Sequence, residues 1–149
     1  MQIKDIYTPE VVCCPRDADV SAAAALMRHS HVGAIVVVNS LEQDRTPIGV
    51  ITDRDLVVEV LAEGLDPSKT HVATLARKPV VIAHETEDVD TVIERMRTHG
   101  VRRMPIVDHT GAVAGIVTLD DLLAHIVGEA AALVQTSRAG QKEERHGRR

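Results

Sequence analysis

Apolar residues along the chain switch repeatedly between a helical and an extended period. Val20, Ala23, Ala24 and Met27 fall at i, i+3, i+4 and i+7, which predicts a helix over residues 19–30 with one apolar stripe. Asp17 or Asp19 stands where its cap belongs. Apolar runs rich in β-branched residues at 11–14, 34–39 and 48–52 read as strands. Helical spacing returns at 53–62, and Gly64 and Pro67 in EGLDPSKT then break the pattern. The succession follows a second time: an extended run at 80–83, a helix at 88–99, strands at 104–108 and 112–118 around a tight turn at Gly111, and a helix from 119 to about 135. Each round is β-α-β-β-α behind a short helical lead-in. The fold class is α/β of the mixed α+β kind.

The two rounds are copies of one unit. At an offset of 69, Val11, Val12, Asp19, Val20, Met27, Arg28, Val32 and Val38 meet identical residues at Val80, Val81, Asp88, Val89, Met96, Arg97, Val101 and Val107. After a connection three residues shorter, the offset becomes 66, and Gly49, Thr52, Asp55 and Leu56 meet Gly115, Thr118, Asp121 and Leu122. A unit of this size has a marginal core by itself, so the copies are expected to pack together as residues 1–65 and 66–135, with 136–149 a flexible charged tail.

Composition narrows the class. With 44% hydrophobic and 26% charged residues in 149, most of the chain is globular. Tyr7 is the one aromatic residue, so the core is aliphatic and base stacking on aromatic platforms is excluded. The net charge is −5, and the tail SRAGQKEERHGRR holds five basic residues, leaving an acidic body that suits no nucleic acid. Neither a leader-like segment nor a long uncharged apolar stretch is present, so the expectation is a cytoplasmic protein without a membrane span. Cys13 and Cys14 are adjacent and cannot readily pair with each other, which suits a reducing compartment.

Both copies close their last strand with one motif, GVITDRDL at 49–56 and GIVTLDDL at 115–122. Thr52 with Asp55, and Thr118 with Asp121, have the spacing of a helix capping box. That reading leaves Gly49 and Gly115 unexplained, since glycine inside a strand marks the close approach of another group. The same residues also suit a ligand: free amides at a helix start favour a phosphate, and a carboxylate accepts from ribose hydroxyls.

With the duplication, this G-h-x-[ST]-x-x-[DN] pattern resembles a tandem pair of cystathionine-β-synthase (CBS) domains, the Bateman module, over residues 1 to about 130. RRMPIVD in the second copy is typical of that family too. The TDRD segment and GLDP junction are similar to those of standalone bacterial pairs such as hypoxic response proteins. The resemblance implies a pseudo-twofold pair with clefts that take an adenosine-containing compound: AMP, ADP, ATP, an NAD-type dinucleotide or S-adenosylmethionine. Asp55 and Asp121 then match the ribose-binding aspartates, with Asp53 beside the first. Thr52 and Thr118 contact phosphate or ribose, and Gly49 and Gly115 keep the strand ends open. The adenine would lie near Val12, Cys13 and Cys14, or Val81, Ile82 and Ala83. Arg102 and Arg103, just before Met104 and Pro105, reach phosphates, as guanidinium forks do well. Copy one has Gly33 and Ala34 in their place and Val36 opposite Pro105, so the two clefts are unequal.

Other signals carry less. Eight histidines, among them His29, His31, His84, His99 and His109, match no closed zinc spacing, and no metal site is expected. Cys13 and Cys14 sit in an apolar run and read as buried side chains. No nucleophile stands beside a histidine in a recognised motif, so no catalysis and no obligatory cofactor is expected. In the last helix Leu119, Leu122, Leu123, Ile126, Val127, Ala130 and Leu133 form a stripe longer than one lobe requires, which suits a homodimer contact. The expected function is a regulatory sensor of an adenosine compound that acts on a protein partner; the alternative is a homodimeric scaffold with vestigial clefts.

Overall fold

The computed structural model describes residues 1–76 and 79–147. Two three-stranded sheets carry the pseudo-repeat. In the first, β1 (Cys13–Pro15) runs parallel to β2 (Ala34–Val38), which pairs antiparallel with β3 (Pro47–Thr52). In the second, β4 (Ala83–His84), β5 (Arg103–Val107) and β6 (Val113–Thr118) repeat that order, with a register shift at the equivalent place, Val37/Val38 and Ile106/Val107. α1 (Val20–Ser30) and α3 (Val89–His99) cross between first and second strands, capped by Asp19 and Asp88. α1 ends with His31 in the left-handed conformation where α3 ends with Gly100.

The middle strands are buried on both faces, whereas β3 and β6 alternate buried and half-buried residues. One face of β2 packs Ile35 and Val37 under α1 with Ala23, Met27 and Ile51. Its other face gives Val36 and Val38 to a seam with Val113 and Ile116 of copy two. One two-lobed body results, as the marginal size of each unit requires.

The lead-ins, however, are exchanged. Ile3, in the one-turn 3-10 helix Ile3–Asp5, is fully buried in the core of copy two with Ala83, Val92, Met96, Met104, Ile106 and Val117. Val72, in the turn Val72–Thr74, is buried in the core of copy one. The backbone ties repeat at the offset of 69: Ile3 N donates to Glu87 O (2.8 Å) and Val72 N to Ala18 O (2.9 Å), while Val89 N donates to Met1 O (3.0 Å) and Val20 N to Thr70 O (2.9 Å). The segment before each first strand therefore completes the other copy's core, which the linear division at residue 65 does not express.

Other departures from the sequence reading are local. The first and fourth strands begin at Cys13 and Ala83, later than 11 and 80, because the residues ahead of them make few ladder bonds. The second helix of copy one is α-helical only over α2 (Asp53–Asp55) and continues as a π-helix, Leu56–Leu61. The last helix, α4 (Leu119–Gly147), runs well past residue 135 through the segment expected as a flexible tail. Arg, Ala, Gln, Lys and Glu make up most of residues 136–147, and all are good helix formers. Arg148 and Arg149 of the tail lie outside the described residues.

Candidate functional site

Each copy brings its motif to the junction of last strand and second helix. Thr52 N donates to Asp55 Oδ2 (2.8 Å) and Asp55 N to Thr52 Oγ1 (3.2 Å). In copy two, Thr118 N and Thr118 Oγ1 both donate to Asp121 Oδ2 (2.8 Å each), and Asp121 N donates to Thr118 Oγ1 (3.1 Å). Capping thus holds both aspartates in place through one oxygen. The other oxygen, Oδ1, takes no hydrogen bond from the described residues in either copy, and both carboxylates are half-buried rather than sealed. A fixed carboxylate with one free acceptor is suited to a hydroxyl pair.

Strand pairing sets what lies beside these caps. Thr52 faces Ala34 across the ladder and Thr118 faces Arg103. Asp53 N donates to Gly33 O (3.0 Å), and Leu119 N donates to Arg102 O (2.9 Å). In copy two this gathers Arg102, Arg103, Thr118, Leu119 and Asp120 around a polar cavity of about 170 Å³. Both arginines are exposed, and neither guanidinium group makes a hydrogen bond or ion pair with the described residues. In copy one the corresponding place holds Gly33 with the Asp53 carboxylate over it, 3.3 Å from where a Cβ on residue 33 would stand.

The remaining site candidates are placed less uniformly. Val12 gives its carbonyl to Val36 N (3.0 Å), and Cys13 is half-buried on the seam between sheets, with Arg45 Nη2 3.7 Å from its sulfur. Burial pushes the Cys13 thiol up despite the Arg45 charge, and burial together with Cys13 pushes Cys14 up to about 11. Val81 and Ile82 are half-buried just ahead of β4. Met104 packs in the core of copy two and Pro105 is buried in β5, so neither side chain lines the polar cavity.

The glycines of the motif are where another segment approaches closely. A Cβ on Gly49 would stand 2.4 Å from Ala76 Cβ, and one on Gly115 would stand 2.4 Å from both Thr8 O and the Tyr7 ring. These glycines admit the exchanged lead-ins.

Arg95 was not visible as a positioning residue in the sequence. From α3 it donates through Nη1 to Ile82 O (2.8 Å) and holds Glu87 through both oxygens (2.9 and 2.6 Å), while Glu87 Oε1 accepts from His84 N (2.7 Å). The pair clamps the segment around β4, and the Arg95 bonds hold the Glu87 carboxyl below its ordinary range. Copy one has Leu26 and Ala18 at these positions, so the repeat gave no signal.

Two open apolar grooves lie at equivalent helix pairs, each bordering the helical end of its motif, at Leu56 in copy one and at Leu119 and Leu122 in copy two. One, about 510 Å³, is lined by Ile93, Met96 and Val101 with Leu119, Leu122 and Ile126 of α4. The other, about 380 Å³, lies between α1 and the Leu56–Leu61 helix. Among the described residues no group of three or more His, Cys, Asp or Glu could hold a metal ion, and no helix is long and apolar enough to cross a membrane.

Duplicated β-α-β-β-α units with paired Thr-Asp caps define a tandem repeat of one α/β domain. The CBS domain family matches residues 3–62 and 72–128, and the chain belongs to that family. Hypoxic response protein 1 of Mycobacterium tuberculosis is 33% identical over 123 residues, 83% of each chain. The uncharacterized protein MK0525 of Methanopyrus kandleri is 38% identical over 97 residues, 65% of this chain and 48% of that one. Among solved structures, hypoxic response protein I with two coordinated zinc ions superposes with a TM-score of 0.74 at 30% identity, covering 84% of this chain and 98% of that one. The CBS domain pair of MJ0100, in complex with 5′-methylthioadenosine and S-adenosyl-L-methionine, gives 0.73 at 25% identity over 87% and 98%. PAE2072 of Pyrobaculum aerophilum, complexed with AMP, shares the fold with a TM-score of 0.71 at 23% identity over 82% and 90%.

Proposed function

We propose that this protein is a non-enzymatic regulatory module that binds an adenosine-containing compound at the Thr-Asp motifs and passes the signal to a protein partner. One observation carries the reading: in both copies a capped aspartate keeps an Oδ1 that takes no hydrogen bond from the described residues, and in copy two that cap adjoins a cavity with two arginines whose guanidinium groups pair with none of them. A ribose hydroxyl pair suits the carboxylate, and a phosphate suits the guanidinium groups and the start of α4. The adenosine ligands of the MJ0100 pair, a neutral thioether and a sulfonium, support the class of compound.

Signalling follows if the bound compound favours one disposition of the copies or of two subunits over another. A homodimer is the expected assembly: the apolar grooves beside α4 and beside the Leu56–Leu61 helix present Leu123, Ile126, Val57 and Leu61, all at least half exposed, to a second copy.

The second reading, a scaffold with vestigial clefts, draws on the capping boxes and on the lead-ins behind Gly49 and Gly115, which explain the motif without a ligand. A thermal-shift panel of tag-free protein against AMP, ADP, ATP, NADH and S-adenosylmethionine separates the two. A compound bound to the native state raises the midpoint by mass action, whereas no shift at millimolar concentration selects the scaffold.

A further inference from the structure

The two motif ends are not electrostatically alike, and the difference has a consequence for what each accepts. In copy two, Arg102 and Arg103 stand at the start of β5 beside Thr118, and the first residue of α4 is the uncharged Leu119. In copy one, the residues in register with those arginines are Gly33 and Ala34, and the residue in register with Leu119 is Asp53. The Asp53 backbone amide is bound to Gly33 O (3.0 Å), and its carboxylate leans over Gly33, Oδ2 lying 3.3 Å from the Cβ position there. Asp53 Oδ1 is engaged by Arg54 N (2.8 Å), so the free oxygen is the one above Gly33. Arg54 is exposed and corresponds to Asp120 of copy two. Copy one therefore places a carboxylate where copy two places the root of a guanidinium side chain.

We propose, resting on the reading above, that the clefts divide adenosine compounds by their 5′ substituent. The Arg102/Arg103/Thr118 cleft takes a 5′-phosphorylated compound. The Gly33/Thr52/Asp55 end of copy one takes one whose 5′ substituent is neutral or cationic, such as a thioether or sulfonium. Asp53 sets this preference: a phosphate seated beside Gly33 meets a like charge, whereas a sulfonium meets an opposite one. The ribose end is common to both, since Asp55 and Asp121 are capped alike.

Calorimetric titration of the full chain tests the division, with AMP and 5′-methylthioadenosine as probes. AMP is expected to saturate at one per chain, and 5′-methylthioadenosine to bind one further site on AMP-saturated protein. Replacing both Arg102 and Arg103 with Ala is expected to weaken AMP roughly tenfold or more while leaving the second compound's affinity on AMP-saturated protein unchanged. Asp53→Asn, which retains an oxygen for Arg54 N, is expected to add a second, weaker AMP site. Two AMP per unmodified chain, or AMP displacing 5′-methylthioadenosine from every site, overturns the division while leaving nucleotide binding intact. One AMP per chain in Asp53→Asn overturns the role of Asp53. If no adenosine compound binds at all, the proposed function falls with the inference.

Discussion

Gly115 lies directly beneath Tyr7, so close that a methyl group on the glycine would stand 2.4 Å from the ring and 2.4 Å from Thr8 O. Tyr7 belongs to the lead-in of copy one by sequence and to the core of copy two by packing. Gly49 and Ala76 repeat the relationship, Gly49 standing 66 residues before Gly115 and Ala76 standing 69 residues after Tyr7.

Overpacking at these glycines is expected to destabilise by about 1–3 kcal/mol, and the two sites should differ in how they are repaired. In Gly49→Ala the closest clash is with Ala76 Cβ, so adding Ala76→Gly should recover much of the loss. In Gly115→Ala a backbone oxygen is among the clashing atoms, and trimming Tyr7 should recover less. Denaturant midpoints of the single and double variants provide the comparison; equal rescue at both sites would contradict it.

Exchange of the lead-ins makes a further expectation. Ile3→Ala empties a fully buried site in the core of copy two and should cost about 2–5 kcal/mol. Hydrogen exchange mapped along the chain should speed up first in α3, β5 and β6. A loss of protection confined to α1, β2 and β3 would mean that Ile3 serves the copy in which it is encoded.

Acid sensitivity should pass through the clamp on β4. Bonds from Arg95 hold the Glu87 carboxyl below its ordinary value of 4.5, so the unfolded chain takes up more protons than the folded one as pH drops below that value. The stabilisation is full at neutral pH and is lost as pH falls from about 4.5 through the depressed folded value. Asp88 and Asp108 are depressed as well, by backbone and by Thr110 hydrogen bonds respectively, so only the difference between native protein and Glu87→Gln isolates the clamp. The variant should lose about 1–2 kcal/mol at pH 7, and its thermal midpoint should fall less steeply between about pH 5 and 3. Parallel curves would refute the assignment.

The paired thiols should be inert in the folded protein. Cys14 is buried with its thiol pushed up to about 11, and burial raises Cys13 too. At pH 8 the thiolate fraction of Cys14 is roughly a hundredfold below that of an ordinary thiol, so Ellman's reagent should react slowly before denaturation and rapidly after it. Fast labelling of Cys14 in native protein would contradict this packing.

The repeat, the order of elements along the chain and the motif are all legible because they rest on local periodicity and on identities such as Asp55 with Asp121. What escaped was partnership. A hydrophobic residue such as Ile3 announces that it is buried but not in which core, and Tyr7 and Ala76 share an offset without sharing an identity. The length of α4 escaped because a charged segment reads as solvated tail, although its residues favour helix strongly enough to continue one. The role of Gly49 and Gly115 was half legible: close approach was implied, and only the fold names Ala76 and Tyr7 as what approaches.

The central claim is that Asp121 reads the ribose of a bound adenosine compound, and AMP titration of Asp121→Asn tests it most directly. The amide retains one oxygen to accept from Thr118 N, so the cap and the fold should persist, while the free carboxylate oxygen is lost. Removing a charged acceptor should weaken AMP roughly tenfold or more, with an unfolding midpoint close to that of the native protein. Unchanged AMP affinity in a well-folded Asp121→Asn protein would contradict the reading of the Asp121 carboxylate as the acceptor of the ribose hydroxyls.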